Sequence, residues 1–170
     1  SMQYMEMGVK ENKIEIISNA VDYRQFENIP QGIFRQKYGI DQNDKIILYL
    51  GRINKIKGID LLLNSFKQLS NQFNNVKLVL IGPDDGFLSE VKMLMDDIGE
   101  ERTIYTGLVS EKTKLEAYVD ADIYVLPSIK DNFPISVLEA LASSTPVIVT
   151  RGCLIASIIE EVGVVVDHDV

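Results

Sequence analysis

Two basic and two acidic side chains carry most of the chemistry legible in this chain. Arg52 and Lys57 lie in Gly51-Arg52-Ile53-Asn54-Lys55-Ile56-Lys57-Gly58, directly after the apolar run Ile46–Leu50. Arginine grips phosphate oxygens bidentately, and lysine adds a mobile point charge. At the end of a strand the two would suit a phosphate; taken singly, each also fits solvated surface charge. The segment is neither a Walker A loop nor a G-x-G-x-x-G turn. Asp131 and Glu139 belong to Pro127-Ser128-Ile129-Lys130-Asp131-Asn132-Phe133-Pro134-Ile135-Ser136-Val137-Leu138-Glu139-Ala140. On a helical wheel Leu138, Ala142, Ile135, Leu141 and Val137 form the apolar arc, and Glu139 falls at its edge beside Ile135. A carboxylate there needs a partner, because burying an unpaired charge is costly. Sugar or ribose hydroxyls would serve, as would a salt bridge. Asp131 fits either a carboxylate facing a ligand or an Asx turn or helix cap. The first amides of the helix, near Ile135 to Val137, favour an anionic group.

The elements that position these groups follow a repeating pattern. Apolar runs at 46–50, 76–81, 103–106, 123–126, 146–150 and 164–166 read as strands. Helical patterns intervene from Gly58 to about Phe73, Phe87 to Ile98, Ser110 to Val119, Ile135 to Ser143 and Leu154 to Glu161. Ser110 is an expected N-cap. Short unbroken apolar runs alternating with helices predict parallel strands covered on both faces. The fold class is α/β: a doubly wound, mostly parallel, Rossmann-like sheet in three α/β/α layers. Ligands in such sheets sit beyond the carboxyl ends of the strands, which directs attention to Gly51-Arg52, Gly82 through Gly86, Gly107-Leu108-Val109 and Pro127 through Pro134. Ser1-Met2 reads as a cloning remnant. Residues 3–45 read as a lead-in segment and 46–170 as the ligand-binding domain.

Composition excludes several function classes. The 170 residues suit one domain, and 46% hydrophobic with 25% charged residues is ordinary globular composition. The 25 acidic residues outnumber the 17 basic ones for a net charge of −8, which opposes a nucleic-acid partner. Cys153 is the only cysteine and His168 the only histidine. No internal disulfide, Cys-based zinc site or Ser-His or Cys-His nucleophile pair can therefore form. No apolar run approaches the roughly 20 residues that span a bilayer, and a reduced cytoplasmic setting is the expectation. Cys153, Met93, Met95, Leu94 and Val91 read as packing, and Lys112, Lys114 and His168 as surface residues.

Taken in order, the motifs resemble the C-terminal domain of retaining glycosyltransferases of the GT-B fold, in the large family 4 (group 1). That family's G-R-x(4)-K-G is similar to Gly51, Arg52, Lys57 and Gly58. Its P-S-x-x-E-x-F-G-x(4)-E-A resembles Pro127, Ser128, Asp131, Phe133, Glu139 and Ala140, and the Asp131-to-Glu139 spacing equals its E-x(7)-E. Ile17 through Asp22 with Phe26 is similar to I-P-N-G-V-D-x(3)-F, and Ala142 through Val147 to A-x-G-x-P-V. Asp131 departs from the usual glutamate by one methylene. Asn132 and Pro134 replace two glycines around Phe133, removing one backbone N–H. Ser144 stands where glycine is common.

The resemblance implies a donor-binding domain that moves a sugar from a nucleotide-diphosphate sugar to an acceptor with retention of configuration. It implies that Arg52 and Lys57 hold the diphosphate and stabilise its charge as the glycosidic bond breaks, and that Asp131 binds donor-sugar hydroxyls. It implies further that Glu139 takes the ribose hydroxyls and that Gly51, Gly82, Leu108, Val109, Asn132, Phe133, Pro134 and Ile135 complete the nucleotide-sugar site. No metal or cofactor is implied. A preceding acceptor-binding domain is implied as a partner within a longer chain, along with peripheral membrane association through it. The 170 residues alone are accordingly expected to bind donor and transfer nothing. The competing readings are a nucleotide-sugar epimerase domain and a non-catalytic nucleotide-sugar-binding module.

Overall fold

The computed structural model describes residues 5–15 and 17–168. Ser1-Met2 and Ile16 lie outside the described residues. Six strands form one sheet: β1 Lys45–Leu50, β2 Val76–Ile81, β3 Thr103–Gly107, β4 Ile123–Leu126, β5 Val147–Thr150 and β6 Val164–Val166. Their order is β3-β2-β1-β4-β5-β6 and every pairing is parallel. The sheet is thus all-parallel, where the sequence pattern predicted only mostly so. The order reverses between β2-β1 and β1-β4, which opens a crevice at the carboxyl ends there.

Six α-helices accompany it among the described residues: α1 Ile33–Tyr38, α2 Ile59–Ser70, α3 Leu88–Ile98, α4 Glu111–Asp120, α5 Ile135–Ala142 and α6 Ala156–Ile159. Right-handed crossovers place α2 and α3 on one face and α4, α5 and α6 on the other. Accordingly α2 packs on α3, and α1 on α4. In α2 the buried Ile59, Leu62, Leu63 and Phe66 recur at helical spacing against the sheet. That helix stops at Ser70, short of the expected Phe73, which is half exposed. Val91 and Met95 are buried in α3, whereas Met93 is exposed on its outer side, against the expectation that it fills the core. An apolar groove of about 360 Å³ lies between Leu62, Phe66 and Leu69 of α2 and Val125, Ile148 and Val166 of the strands.

Helix α1 was not announced by the sequence pattern, since six residues give less than two turns of periodicity. Phe34 is fully buried, and Phe26 and Ile40 join the same core. Arg35, 8% exposed, explains the docking: its guanidinium donates to the carbonyls of Asp41, Asp44 and Asp120 and to Asp122 Oδ2 at 2.9 Å. Asp120 accepts the Gly32 and Arg35 backbone N–H groups, satisfying donors at the helix start. Asp122 also takes the Ile46 N–H at 2.9 Å and Lys45 Nζ at 2.7 Å, tying the first residues of β1 to the turn before β4.

Helix α5 ends in a Schellman arrangement. The Thr145 N–H donates to Ala140 O at 2.9 Å and the Ser144 N–H to Leu141 O at 3.0 Å. This forces Ser144 to φ +65°, the left-handed region. Serine here carries a strain that glycine would not.

Two outcomes follow from these contacts. Ser144→Gly should stabilise the chain by about 1 kcal/mol in denaturant melts, the relieved left-handed strain exceeding the added unfolded-state freedom. Partial burial raises the Asp122 pKa, but the Lys45 and Ile46 hydrogen bonds and the Lys45 and Arg35 charges outweigh it and hold the carboxyl below the ordinary aspartate range. A lowered folded-state pKa stabilises above the unfolded value of about 3.9 and loses that contribution as pH falls through the folded value. Asp122→Asn should therefore cost about 1–3 kcal/mol at neutral pH, and the difference from wild type should shrink on acidification below pH ~4.

Candidate functional site

One backbone contact brings the two sequence motifs together. Gly58, at φ +67°, is the residue before α2, and a Cβ built on it would run into the Pro127 carbonyl oxygen at the end of β4. The fully buried Ser128 sets its hydroxyl 3.1 Å from the Ile56 carbonyl, and the Ile129 N–H donates to the same oxygen at 2.9 Å. The loops after β1 and β4 are thereby pressed together. Lys57 Nζ lies 2.5 Å from Asp131 Oδ2, with the two side chains 17% and 16% exposed. Asp131 is pinned in turn by its backbone: its N–H donates to Gly152 O and its carbonyl accepts from Leu154 N–H. Asn19, upstream of α1, donates to the Phe133 carbonyl at 3.2 Å.

The second part of the site lies at the ends of β1, β2 and β3. The Gly51 N–H donates to Ile81 O at 2.9 Å and the Gly82 N–H to Gly107 O at 3.0 Å. Gly82 adopts φ +146°, and an added Cβ would strike the Gly51 carbonyl. The close approach it permits is thus first that of Gly51. Gly51, Arg52, Gly82, Leu108, Val109 and Lys114 line a cleft of about 230 Å³. Arg52 is mostly exposed and pairs with Asp85 at 2.7 Å, while Asn54 Nδ2 bonds the same carboxylate at 3.1 Å. The Tyr49 hydroxyl donates to the Arg52 carbonyl at 2.8 Å and so shapes the loop from beneath.

Glu139 is 8% exposed and both its oxygens are bonded: Lys114 Nζ at 2.6 Å and the Tyr118 hydroxyl at 3.0 Å. The partner its position demands is therefore Lys114, in a salt bridge. Lys112 is exposed as expected, but Lys114 is not a solvated charge: its side chain is 19% exposed and also meets Glu111 at 2.8 Å. Burial works against the Lys114 charge, yet its hydrogen bonds to Glu111 and Glu139 and their negative charges outweigh it and hold the ammonium above the usual lysine range. Burial pushes the Tyr118 phenol far up, so it remains a neutral donor. The Tyr124 hydroxyl sits 3.1 Å from Leu50 O and 2.8 Å from Ser136 Oγ, joining the end of β1 to the first turn of α5.

The predicted residues fall into two sets. Lys57 pairs with Asp131, Arg52 shares the cleft with Gly51, Gly82, Leu108 and Val109, and Glu139 reaches that cleft through Lys114. Of the rest, Pro134 is buried, Phe133 packs against the core, and Asn132 and Ile135 are exposed. No side chain caps α5, whose N-cap is Pro134. Asn54, Asp85, Lys114 and Tyr118 were missed, and Asn19 was noted only as part of the Ile17–Asp22 motif, without its contact to Phe133. Asn54 and Asp85 do lie in the loops flagged by strand-end position, whereas nothing in the spacing of α4 separates Lys114 from Lys112. Cys153 is buried at 1% exposure, its thiol pKa pushed up chiefly by that burial, in keeping with packing.

A family model described as glycosyl transferases group 1 matches residues 30–168. The chain belongs to the group 1 glycosyl transferases. An uncharacterized glycosyltransferase of Methanocaldococcus jannaschii is 32% identical over 145 residues, covering 82% of this chain and 37% of the relative. The chain thus spans little more than a third of that protein's length. Among solved structures, HepE of Anabaena in complex with UDP and glucose superposes at a TM-score of 0.82, with 18% identity over 98% of this chain and 46% of that one. The C-terminal domain of the group 1 family protein LpcC of Francisella tularensis gives 0.75, with 25% identity over 87% of this chain and 80% of that one. The six-stranded parallel α/β fold is therefore that of the GT-B glycosyltransferases.

Within this family fold, the Gly58–Pro127 contact can be separated from mere left-handed strain. Gly39 has nearly the same φ, +66°, but open space where its Cβ would be. Gly39→Ala should cost about 1 kcal/mol, and Gly58→Ala roughly 2–4 kcal/mol, measured by urea denaturation.

Proposed function

We propose that the chain is the donor-binding, C-terminal half of a retaining family 4 glycosyltransferase that moves a hexose from a nucleotide-diphosphate sugar to an acceptor. The observation that carries the proposal is the strand-end edge itself: Arg52, on Asp85, lines a cleft with Gly51, Gly82, Leu108 and Val109, and Lys57, on Asp131, adds a second cation from the same loop after β1. Two likenesses support it. The LpcC structure is described as a C-terminal domain, and the HepE structure contains UDP and glucose. A preceding acceptor-binding domain, to which residues 3–45 would lead, is part of the proposal.

In this mechanism Asp85 and Asp131 hold the two cations in place until a diphosphate competes for them. Arg52 then grips phosphate oxygens, and Lys57 neutralises charge as the glycosidic bond breaks. Fixed cations achieve most in a partly dry site, and Lys57 is the more buried of the two. Asp131, released from Lys57, is free to accept hydroxyls of the donor sugar. Glu139 accepts from the ribose, and Asn132, Phe133, Pro134 and Ile135 frame the sugar. No metal is required, because two side-chain cations carry the leaving-group charge. A cytoplasmic location fits the use of a nucleotide sugar; no helix among the described residues is long and apolar enough to cross a membrane.

Thermal shift with UDP, GDP and ADP tests the donor site. At one hundred times its dissociation constant the preferred nucleotide should stabilise the chain by about 2.7 kcal/mol. Lys57→Met should abolish most of that gain, and silence toward all three nucleotides would overturn the assignment. In the longer protein, Arg52→Ala or Lys57→Ala should remove most transfer activity, whereas full activity in both would mean that the loop is purely structural.

A further inference from the structure

We infer that Lys114 is a further ligand-contacting residue of the nucleotide site, donating a hydrogen bond to the nucleoside half of the donor beside Glu139. The inference rests on the donor-site proposal and extends it to the first turns of α4. A lysine ammonium has three N–H donors. Glu139 Oε1 takes one at 2.6 Å and Glu111 Oε1 another at 2.8 Å, which leaves the third without a protein acceptor among the described residues. The side chain is only 19% exposed, and it lines the cleft with Gly51, Arg52, Gly82, Leu108 and Val109. The unused donor therefore belongs to a confined wall of that cleft.

The chemistry of the partner follows from the pair. A hydroxyl group both donates and accepts, so a ribose edge can give a proton to the Glu139 carboxylate while its oxygen accepts from Lys114. A lone carboxylate offers half of that recognition. Tyr118 on the other Glu139 oxygen keeps the carboxylate fixed while the exchange occurs. Arg52 and Lys57 sit on Asp85 and Asp131, whereas Lys114 is held against Glu139, the carboxylate assigned to the ribose, so Lys114 addresses the nucleoside end of the ligand. A purely structural Lys114 would instead occupy Glu139 and compete with the ribose, and its removal would then tighten binding. The sign of the effect separates the two roles.

Calorimetric titration of the 170-residue chain with UDP, GDP, ADP and inorganic pyrophosphate makes the test, on wild type, Lys114→Met and Lys114→Gln. Lys114→Met should weaken the preferred nucleoside diphosphate about tenfold while changing pyrophosphate affinity less than about twofold. Lys114→Gln, which keeps a neutral donor, should lose less. It also serves as the measured variant if thermal melting shows Lys114→Met unfolded. Unchanged or tighter nucleoside diphosphate binding in both variants would overturn the inference and leave the donor site standing. An equal loss toward pyrophosphate would overturn it as well, marking Lys114 as a general phosphate cation. Wild type that binds none of the nucleoside diphosphates would overturn the donor-site proposal together with the inference.

Discussion

The site depends on two loops being allowed to touch. Gly58 and Pro127 meet backbone to backbone, and only a residue without a Cβ, at a left-handed φ, permits it. The buried Ser128 and the Ile129 N–H then satisfy the Ile56 carbonyl, so the contact leaves no polar group stranded. Lys57 precedes Gly58 and Asp131 follows Ser128 by three residues. Their 2.5 Å pairing is thus a consequence of backbone fit, with the ion pair as its product. A similar device recurs at Gly82 against Gly51 and at Gly152 against the Ile129 carbonyl. Three glycines that could be read as flexible loops are in fact places of tight packing.

A second regularity is electrostatic. The chain carries a net charge of −8, yet its proposed ligand is a polyanion. Each of the three cations at the crevice has a carboxylate partner: Asp85 for Arg52, Asp131 for Lys57, and Glu139 with Glu111 for Lys114. Pairing lets charge sit in partly buried positions that unpaired groups could not occupy cheaply. It also holds the side chains in geometry. The partners are themselves hydrogen-bond acceptors, so in the proposed mechanism a ligand that takes a cation releases a carboxylate able to receive hydroxyls.

The fold was legible because its elements are short, apolar and punctuated. Runs such as Ile46–Leu50 and Val76–Ile81 declare buried parallel strands, and all six predicted strands are present. Helix ends were less legible: α2 stops before Phe73 and α6 spans only four residues, because terminal turns are decided by caps and by what lies beneath. Helix α1 escaped because its anchor, Arg35, is defined by acceptors some 85 residues away, at Asp120 and Asp122. In the site, Arg52, Lys57, Asp131 and Glu139 were visible as charges at strand ends or on an apolar helix edge. Lys114 was not, since Lys112 and Lys114 differ only in which one tertiary packing turns toward Glu139.

The sequence by itself determined the alternation of strand and helix, the parallel class of sheet that follows, and which loops stand at the carboxyl ends of the strands. Those follow from local periodicity and from covalent limits on glycine and proline. Tertiary structure alone decided which charge faces which. Lys57 meets Asp131 across 74 residues and Glu139 meets Lys114 across 25, distances over which no local pattern carries information. Pairings of this kind are set by how the sheet brings strand ends together, and the physical reason is that side-chain charge is satisfied by proximity in space.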